Sequence, residues 1–372
     1  MLGLFVERHA LAVSKKCDIA VLYVQASDNE QYYSVKPELQ KKQGINEIII
    51  YYKNHNTRIP LISGLIKIWK YFSAYYKGFK LVKRHFGDFD LIHVNILTRT
   101  GIVAFIKKYF SGKPYIISEH WSRYLNVNNT YKGFVRKSLT RLIVRKASAV
   151  ITVTDELKDA MLKYKLINKQ YHIVPNVIDT DLFIIKSKYE RSVKKFIHIS
   201  CFEDKSKNIS GIIHAIATLA KERNDFIVDM VGTGQDFNTL KQLSDKLELT
   251  DKIIFFKGLL ENEALVENIN QSVATILFSN YETFGIVPLE CMACGVPVIS
   301  TKTGIINNVF RNEMGLLTDI ANQEQLVIAM KVFLNNEFIT DREKLRSFVK
   351  ANYSVEIICD KFLNIYSQAL KK

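Results

Sequence analysis

Short apolar runs rich in β-branched residues alternate along this chain with longer stretches in which apolar positions recur every three or four residues. The runs Asp18 to Val24, Glu47 to Tyr52, Leu91 to Asn95, Tyr115 to Ser118, Ala149 to Val153 and His172 to Val174 read as strands separated by helix-length segments. The scheme repeats with Phe196 to Ser200, Phe226 to Val231, Ile253 to Lys257, Ala274 to Phe278, Val298 to Ser300 and Gly315 to Leu317. Apolar strands alternating with helices specify parallel sheets covered on both faces, so the chain reads as α/β, with two Rossmann-like doubly wound domains. The first series ends at Pro175-Asn176, and the polar stretch Lys186 to Lys195 before the next strand has the composition of a linker. The expected division is a domain over 1–178, a second over 179–352, and a C-terminal helix over 353–372 crossing back to the first. Ligands of open parallel sheets bind beyond the carboxyl ends of the strands, so two such domains facing each other enclose a cleft.

The length of 372 residues accommodates two or three domains with cores of their own, and 48% hydrophobic against 24% charged residues excludes a disordered chain. No apolar run approaches the ~18 residues of a membrane span. Glu7, Arg8 and His9 interrupt the opening segment where a signal peptide needs an apolar core, so the expected location is cytoplasmic. Five cysteines scattered among apolar neighbours fit buried thiols better than a disulfide framework. The net charge of +15 is unevenly placed: residues 1–180 carry 29 Lys/Arg against 13 Asp/Glu, and the remainder 23 against 24. The first half therefore faces something acidic, such as phosphate or an anionic membrane. Nucleic acid is the weakest of these partners because no recognition motif accompanies the basic residues.

The richest segment is SNYETFGIVPLECMACGVPVISTKT, Ser279 to Thr303. A strand runs into the loop Asn280 to Ile286; Pro288 suits the first turn of a helix and Gly295 its stop. Backbone N–H groups around Thr283 to Val287, at a helix start, make an anion site. Glu282 in the loop and Glu290 in the first turn both reach a ligand held there. A carboxylate accepts two hydrogen bonds, as vicinal sugar hydroxyls require. The simplest structural reading is that Glu290 complements the helix dipole.

This segment resembles the hallmark of family 4 of the GT-B glycosyltransferases, an E-x7-E pattern carried here by Glu282 and Glu290 within ETFGIVPLECMACGVPV. GLFVERHALAVSKKCDIAVLYV (Gly3 to Val24), FDLIHVN, ISEH, ITVTDELKDAM and PNVIDTDLF follow in the family's order. The resemblance implies a retaining transferase that moves a sugar from a nucleotide donor to an acceptor hydroxyl. It implies that Glu290 binds the donor ribose, that Glu282 and His120 act on the transferred sugar, and that Thr283, Phe284, Gly285 and Ile286 lend backbone groups. Lys207 would neutralise the diphosphate, and Gly232 and Gly234 would lie near the base. No cofactor and no metal is implied, the nucleotide sugar being a substrate; the expected partners are that donor and a saccharide or lipid-linked acceptor, as in surface polysaccharide or glycolipid assembly.

Three departures stand against the pattern. Cys201 occupies the position of an arginine that usually assists the diphosphate lysine; Ile305 and Asn308 replace a glycine and an acidic residue; and no strand precedes Gly3, which should leave a gap in the first sheet. They keep open a binding protein without turnover, and a nucleotide-sugar epimerase of the same architecture is the rival enzyme. Asp88-Phe89-Asp90, Asp179-Thr180-Asp181 and the pair Cys291 and Cys294 have metal-like spacing but read better as strand flank, interdomain turn and helix core. Finally, Leu65 to Phe86 separates into an apolar stripe (Leu65, Ile68, Trp69, Phe72, Tyr76, Phe79) and a basic one (Lys67, Lys70, Lys77, Lys80, Arg84). That pattern fits either an ordinary helix on the sheet or a peripheral contact with an anionic membrane.

Overall fold

The computed structural model describes residues 3–28, 36–42, 44–54, 60–125, 130–187 and 193–371. Its strands are β1 (Ala20–Ser27), β2 (Lys36–Lys42), β3 (Ile45–Lys53), β4 (Ile92–Asn95), β5 (Tyr115–Glu119), β6 (Ala149–Thr152) and β7 (Tyr171–Ile173) in the first half. The second half holds β8 (Lys194–Ile199), β9 (Phe226–Val231), β10 (Ile254–Gly258), β11 (Ala274–Leu277), β12 (Val298–Thr301) and β13 (Gly315–Thr318). The second domain is one six-stranded sheet in the order β10-β9-β8-β11-β12-β13. All its ladders are parallel, as the run of apolar strands and helices requires. Its order reverses between β8 and β11, and a ligand crevice opens at such a reversal.

The first domain has two ladders, β1-β3-β2 and β4-β5-β6-β7. Among the described residues β1 pairs only with β3 and β4 only with β5, so the two ladders are not hydrogen-bonded to each other, as a gap in the sheet requires. β2 is a correction to the all-parallel expectation: it runs antiparallel to β3 at the edge. Its sequence KPELQKK has no apolar alternation to announce a strand, and proline with charged residues is the composition that edges tolerate.

A second correction concerns the expected linker. Lys194 and Lys195 belong to β8, and Lys195 is buried with its ammonium 3.2 Å from Asp229 Oδ2 while donating to Asn268 Oδ1 and Gln271 Oε1. A lysine enters a central strand because those acceptors replace its water. Downstream of Pro175, Arg346 ties the crossing to the second domain through hydrogen bonds to the carbonyls of Phe183, Thr180 and Ala293. The last helix, Val355–Leu370, returns to the first domain and buries Ile358, Phe362 and Ile365 against Ala12, Ile116 and Ile151. Each such side chain contributes about 1.5–3 kcal/mol by leaving water.

Candidate active site

The switch between β8 and β11 fixes where the chemistry gathers. Beyond β8 lie Cys201 and the short helix Asp204–Lys207; beyond β11 lies the loop that ends in the helix Val287–Ala293. The two are joined by Asn280 N–H donating to the Ser206 carbonyl at 2.8 Å. This brings Lys207 Nζ 2.6 Å from Glu282 Oε1, an oxygen that also accepts from Ser279 Oγ at 2.8 Å. Glu282 is buried, with the lysine slightly more open. Thr283, Phe284, Gly285 and Ile286 follow in the same loop, and their backbone N–H groups donate to no protein acceptor among the described residues. Pro288 stands in the first turn as its missing N–H allows.

Gly232 and Gly234 form the next wall. A Cβ on Gly232 would stand 1.9 Å from the Ser200 carbonyl oxygen and one on Gly234 2.5 Å from that of Phe202, so these glycines let the loop after β9 lie on the loop after β8. Gly232 also has φ +131, which other residues rarely adopt. The isoleucine that replaces the family's later glycine causes no strain here. Ile305 has φ −65, is buried, and donates its N–H to the Phe284 carbonyl at 2.7 Å, supporting the Glu282 loop; Asn308 is exposed.

Glu290 lies in the first turn of its helix, and its carboxylate meets a residue of the other domain. Arg8, on the first helix Leu4–Ser14, places Nη1 2.7 Å from Glu290 Oε1. Burial raises the Glu290 carboxyl above the ordinary range, and the Arg8 guanidinium opposes that rise. Thr154, just past β6, adds a second link by donating Oγ1–H to the Thr283 carbonyl at 3.2 Å.

His120 follows β5 at the same carboxyl end of the first sheet. Its ring lies 4.4 Å from that of Phe5 and 5.6 Å from that of His9, so the first helix covers it. Neither ring nitrogen has a hydrogen-bond partner among the described residues, and burial together with His9 and His93 holds the imidazole neutral, well below its usual range. Buried polar atoms are rarely left so. Asn95 Oδ1, Thr152 Oγ1 and Asn176 Oδ1, which end or follow β4, β6 and β7, are likewise without partners among the described residues. The loop carrying His120 is pinned by Glu119, whose carboxylate accepts from the N–H groups of Leu97, His120 and Trp121 at 3.1, 2.9 and 3.0 Å. Burial nonetheless pushes Glu119 upward, those bonds opposing it.

Arg8, Thr154 and Glu119 escaped the sequence reading as functional candidates. Glu119 had a usable signal, lying between an apolar strand and His120; Arg8 and Thr154 matter only through contacts across the cleft. The declined motifs have structural occupations: Asp88 pairs with Lys113 at 3.2 Å, Asp179 caps its own turn through Asp181 and Leu182 N–H, and Cys291 and Cys294 are buried free thiols.

The long helix Pro60–Phe86 divides differently from its two predicted stripes. Phe72 and Phe79 pack with Ala74, Tyr75 and Val82 on β1 and β3, whereas Leu65, Ile68, Trp69 and Tyr76 are exposed, Trp69 by 69%. Lys77, Lys80 and Arg84 are exposed beside them, Lys67 is half-buried, and Lys70 donates to the Lys53 carbonyl. Leu65, Ile68, Trp69 and Tyr76 recur at helical spacing and so share one outward face.

Comparison with known proteins identifies the family and the fold. Residues 179–355 match "Glycosyl transferases group 1" and residues 10–182 match "Glycosyltransferase Family 4". N-acetyl-alpha-D-glucosaminyl L-malate synthase of Bacillus anthracis is 28% identical over 301 residues, 76% of each chain. Sucrose-phosphate synthase of Thermosynechococcus elongatus superposes over 99% of this chain and 93% of its own with a TM-score of 0.78 at 19% identity. The Anabaena protein HepE, solved in complex with UDP and glucose, does so over 99% and 96% with a TM-score of 0.74 at 16% identity. The fold is GT-B, and the chain is a member of the family 4, group 1 glycosyltransferases.

Proposed function

We propose that this glycosyltransferase is retaining and metal-independent, and that it moves a sugar from a nucleoside diphosphate to an acceptor hydroxyl in surface polysaccharide or glycolipid assembly. The observation that carries the reading is the convergence of Glu282, Lys207 and Glu290 at the β8/β11 switch. Glu290 would take the two ribose hydroxyls, and the Thr283 to Ile286 amides with Lys207 would receive the charge that builds on the departing diphosphate. Glu282 and neutral His120 would hold hydroxyls of the transferred sugar from opposite sides of the cleft. No carboxylate needs to attack the sugar: in front-face transfer the leaving phosphate takes the acceptor proton while the site stabilises oxocarbenium-like charge. HepE was solved with UDP and glucose, which supports a UDP-type donor.

Glu290→Ala tests the donor assignment. It is expected to weaken nucleoside diphosphate binding by about 1.5–3 kcal/mol, the loss of charge-assisted hydrogen bonds to the ribose. Unchanged affinity by calorimetry in a folded variant overturns the assignment.

The exposed Leu65, Ile68, Trp69 and Tyr76 beside Lys77, Lys80 and Arg84 favour an acceptor presented at an anionic membrane. Each basic residue near such a surface contributes roughly 1 kcal/mol, and the aromatic side chains anchor at headgroup depth. Flotation with phosphatidylserine-containing vesicles should show binding that weakens with salt and falls when Lys67, Lys70, Lys77, Lys80 and Arg84 become Gln. Equal binding to neutral vesicles, or none to anionic ones at low salt, would favour a soluble acceptor.

A further inference from the structure

The first domain sends one guanidinium into the donor side of the cleft. Arg8 reaches 2.7 Å from Glu290 with both side chains largely buried, at 15% and 7% exposure, and its guanidinium carbon lies 5.9 Å from the centre of the Phe183 ring. A buried ion pair costs desolvation of both partners and adds little stability over an apolar pair, so its presence here asks for another reason. Glu290 is also the carboxylate assigned to the ribose, and hydroxyls can replace Arg8 as its hydrogen-bond donors.

On the second-domain side Lys207 is engaged with Glu282, and where the resemblance implies an assisting arginine this chain has the exposed Cys201. A diphosphate leaving group concentrates negative charge that planar, bidentate arginine neutralises better than a single ammonium. We propose that Arg8 is a donor-binding residue: when ribose hydroxyls take Glu290, the guanidinium turns to the adjacent diphosphate and supplies from the first domain the cation that Cys201 does not. This rests on the donor-site reading above. The ion pair neutralises the two charges against each other, and donor binding exchanges one partner for another on both sides.

Calorimetric titration with UDP, GDP and ADP and their nucleosides, on wild type, Arg8→Gln, Arg8→Lys, Cys201→Arg and the Arg8→Gln/Cys201→Arg double variant, decides it. Arg8→Gln is expected to weaken the preferred diphosphate 10- to 100-fold and leave its nucleoside unchanged or tighter, because Glu290 is freed. Arg8→Lys should fall between, and Cys201→Arg should restore at least tenfold in the Arg8→Gln background, which also shows that the fold was retained. Unchanged diphosphate affinity in Arg8→Gln, or an equal loss for diphosphate and nucleoside with no recovery from Cys201→Arg, overturns the proposal and leaves Arg8 a structural clasp. Absence of diphosphate binding by the wild type, or binding indifferent to Glu290→Ala, overturns the donor-site reading itself and Arg8 with it.

Discussion

Glu282→Ala is expected to lower turnover about 10²–10³-fold while the affinity for nucleoside diphosphate stays level or rises, the loss being of the size seen when one preorganised electrostatic contact is removed. The asymmetry follows from what Glu282 touches. Its Oε1 holds Lys207 Nζ at 2.6 Å and Ser279 Oγ at 2.8 Å, and its loop passes through Thr283 and Phe284, which are tied to Thr154 and Ile305. Removing the carboxylate leaves the loop anchored by those backbone bonds, releases Lys207 for phosphate, and deletes the acceptor that would fix a sugar hydroxyl. His120→Ala should behave alike, since its neutral ring has no hydrogen-bond partner to lose among the described residues. The measurements are kcat beside the Kd of the nucleoside diphosphate. Wild-type turnover in both variants, or losses of affinity parallel to those of turnover, would show that the sugar is held elsewhere. The same assignment expects turnover to persist in EDTA, because it gives the work of a metal to Lys207 and backbone dipoles; loss on chelation with recovery on magnesium or manganese would return attention to the aspartate pairs.

What the chain revealed in advance, and what it did not, has a physical boundary. Strands buried on both faces, such as Phe226–Val231 and Tyr115–Glu119, were legible because local composition alone makes them apolar. So was the short helix Val287–Ala293, since Pro288 and Gly295 punctuate it within a few residues. β2 was illegible because an edge strand needs little burial, and Lys195 was misplaced because a charge is admitted to a core only by partners such as Asp229, far along the chain. Arg8 and Glu290 are 282 positions apart, so no local pattern announces their contact. The helix Pro60–Phe86 shows the remaining limit: periodicity finds an apolar stripe but not which part of it the sheet covers, and here Phe72 is covered while Trp69 is not. The cleft exists because α/β topology puts loops at strand ends; its contents depend on how two such ends meet.

Mild acid should destabilise this protein steeply between pH 7 and pH 5, and the cause is a set of buried imidazoles. His9 donates Nε2–H to the Pro175 carbonyl at 3.1 Å and packs on Phe362; burial lowers its pKa to about 4. His93, bonded to Tyr366 OH and Ser118 Oγ, is lowered to about 3 by burial and by His9. His198, bonded to the Ile276 carbonyl and Ser200 Oγ, is lowered to about 4 by burial, and His120 falls well below its ordinary value. For each group the folded pKa lies below the unfolded one. The unfolded chain therefore binds the proton first as pH falls, so the stabilisation is complete above about 6.5 and is lost progressively toward the folded values. Each histidine forfeits about 2 kcal/mol between pH 7 and 5 on this count, less where their charges are coupled. Glu119, Glu156 and Glu290 act in the opposite sense, since burial raises them and acid then favours the folded form, but among the described residues they are three groups against four. His9, His93 and His120 gather under the first and last helices, so acid should loosen the first domain and its returning helix before the second sheet. Urea midpoints at pH 7, 6 and 5, followed by hydrogen exchange at each pH, measure this directly. A midpoint that stays level across that range, or an acid slope that His93→Asn leaves unchanged whatever its starting stability, would mean that these rings take up protons in the folded protein as readily as in the unfolded chain.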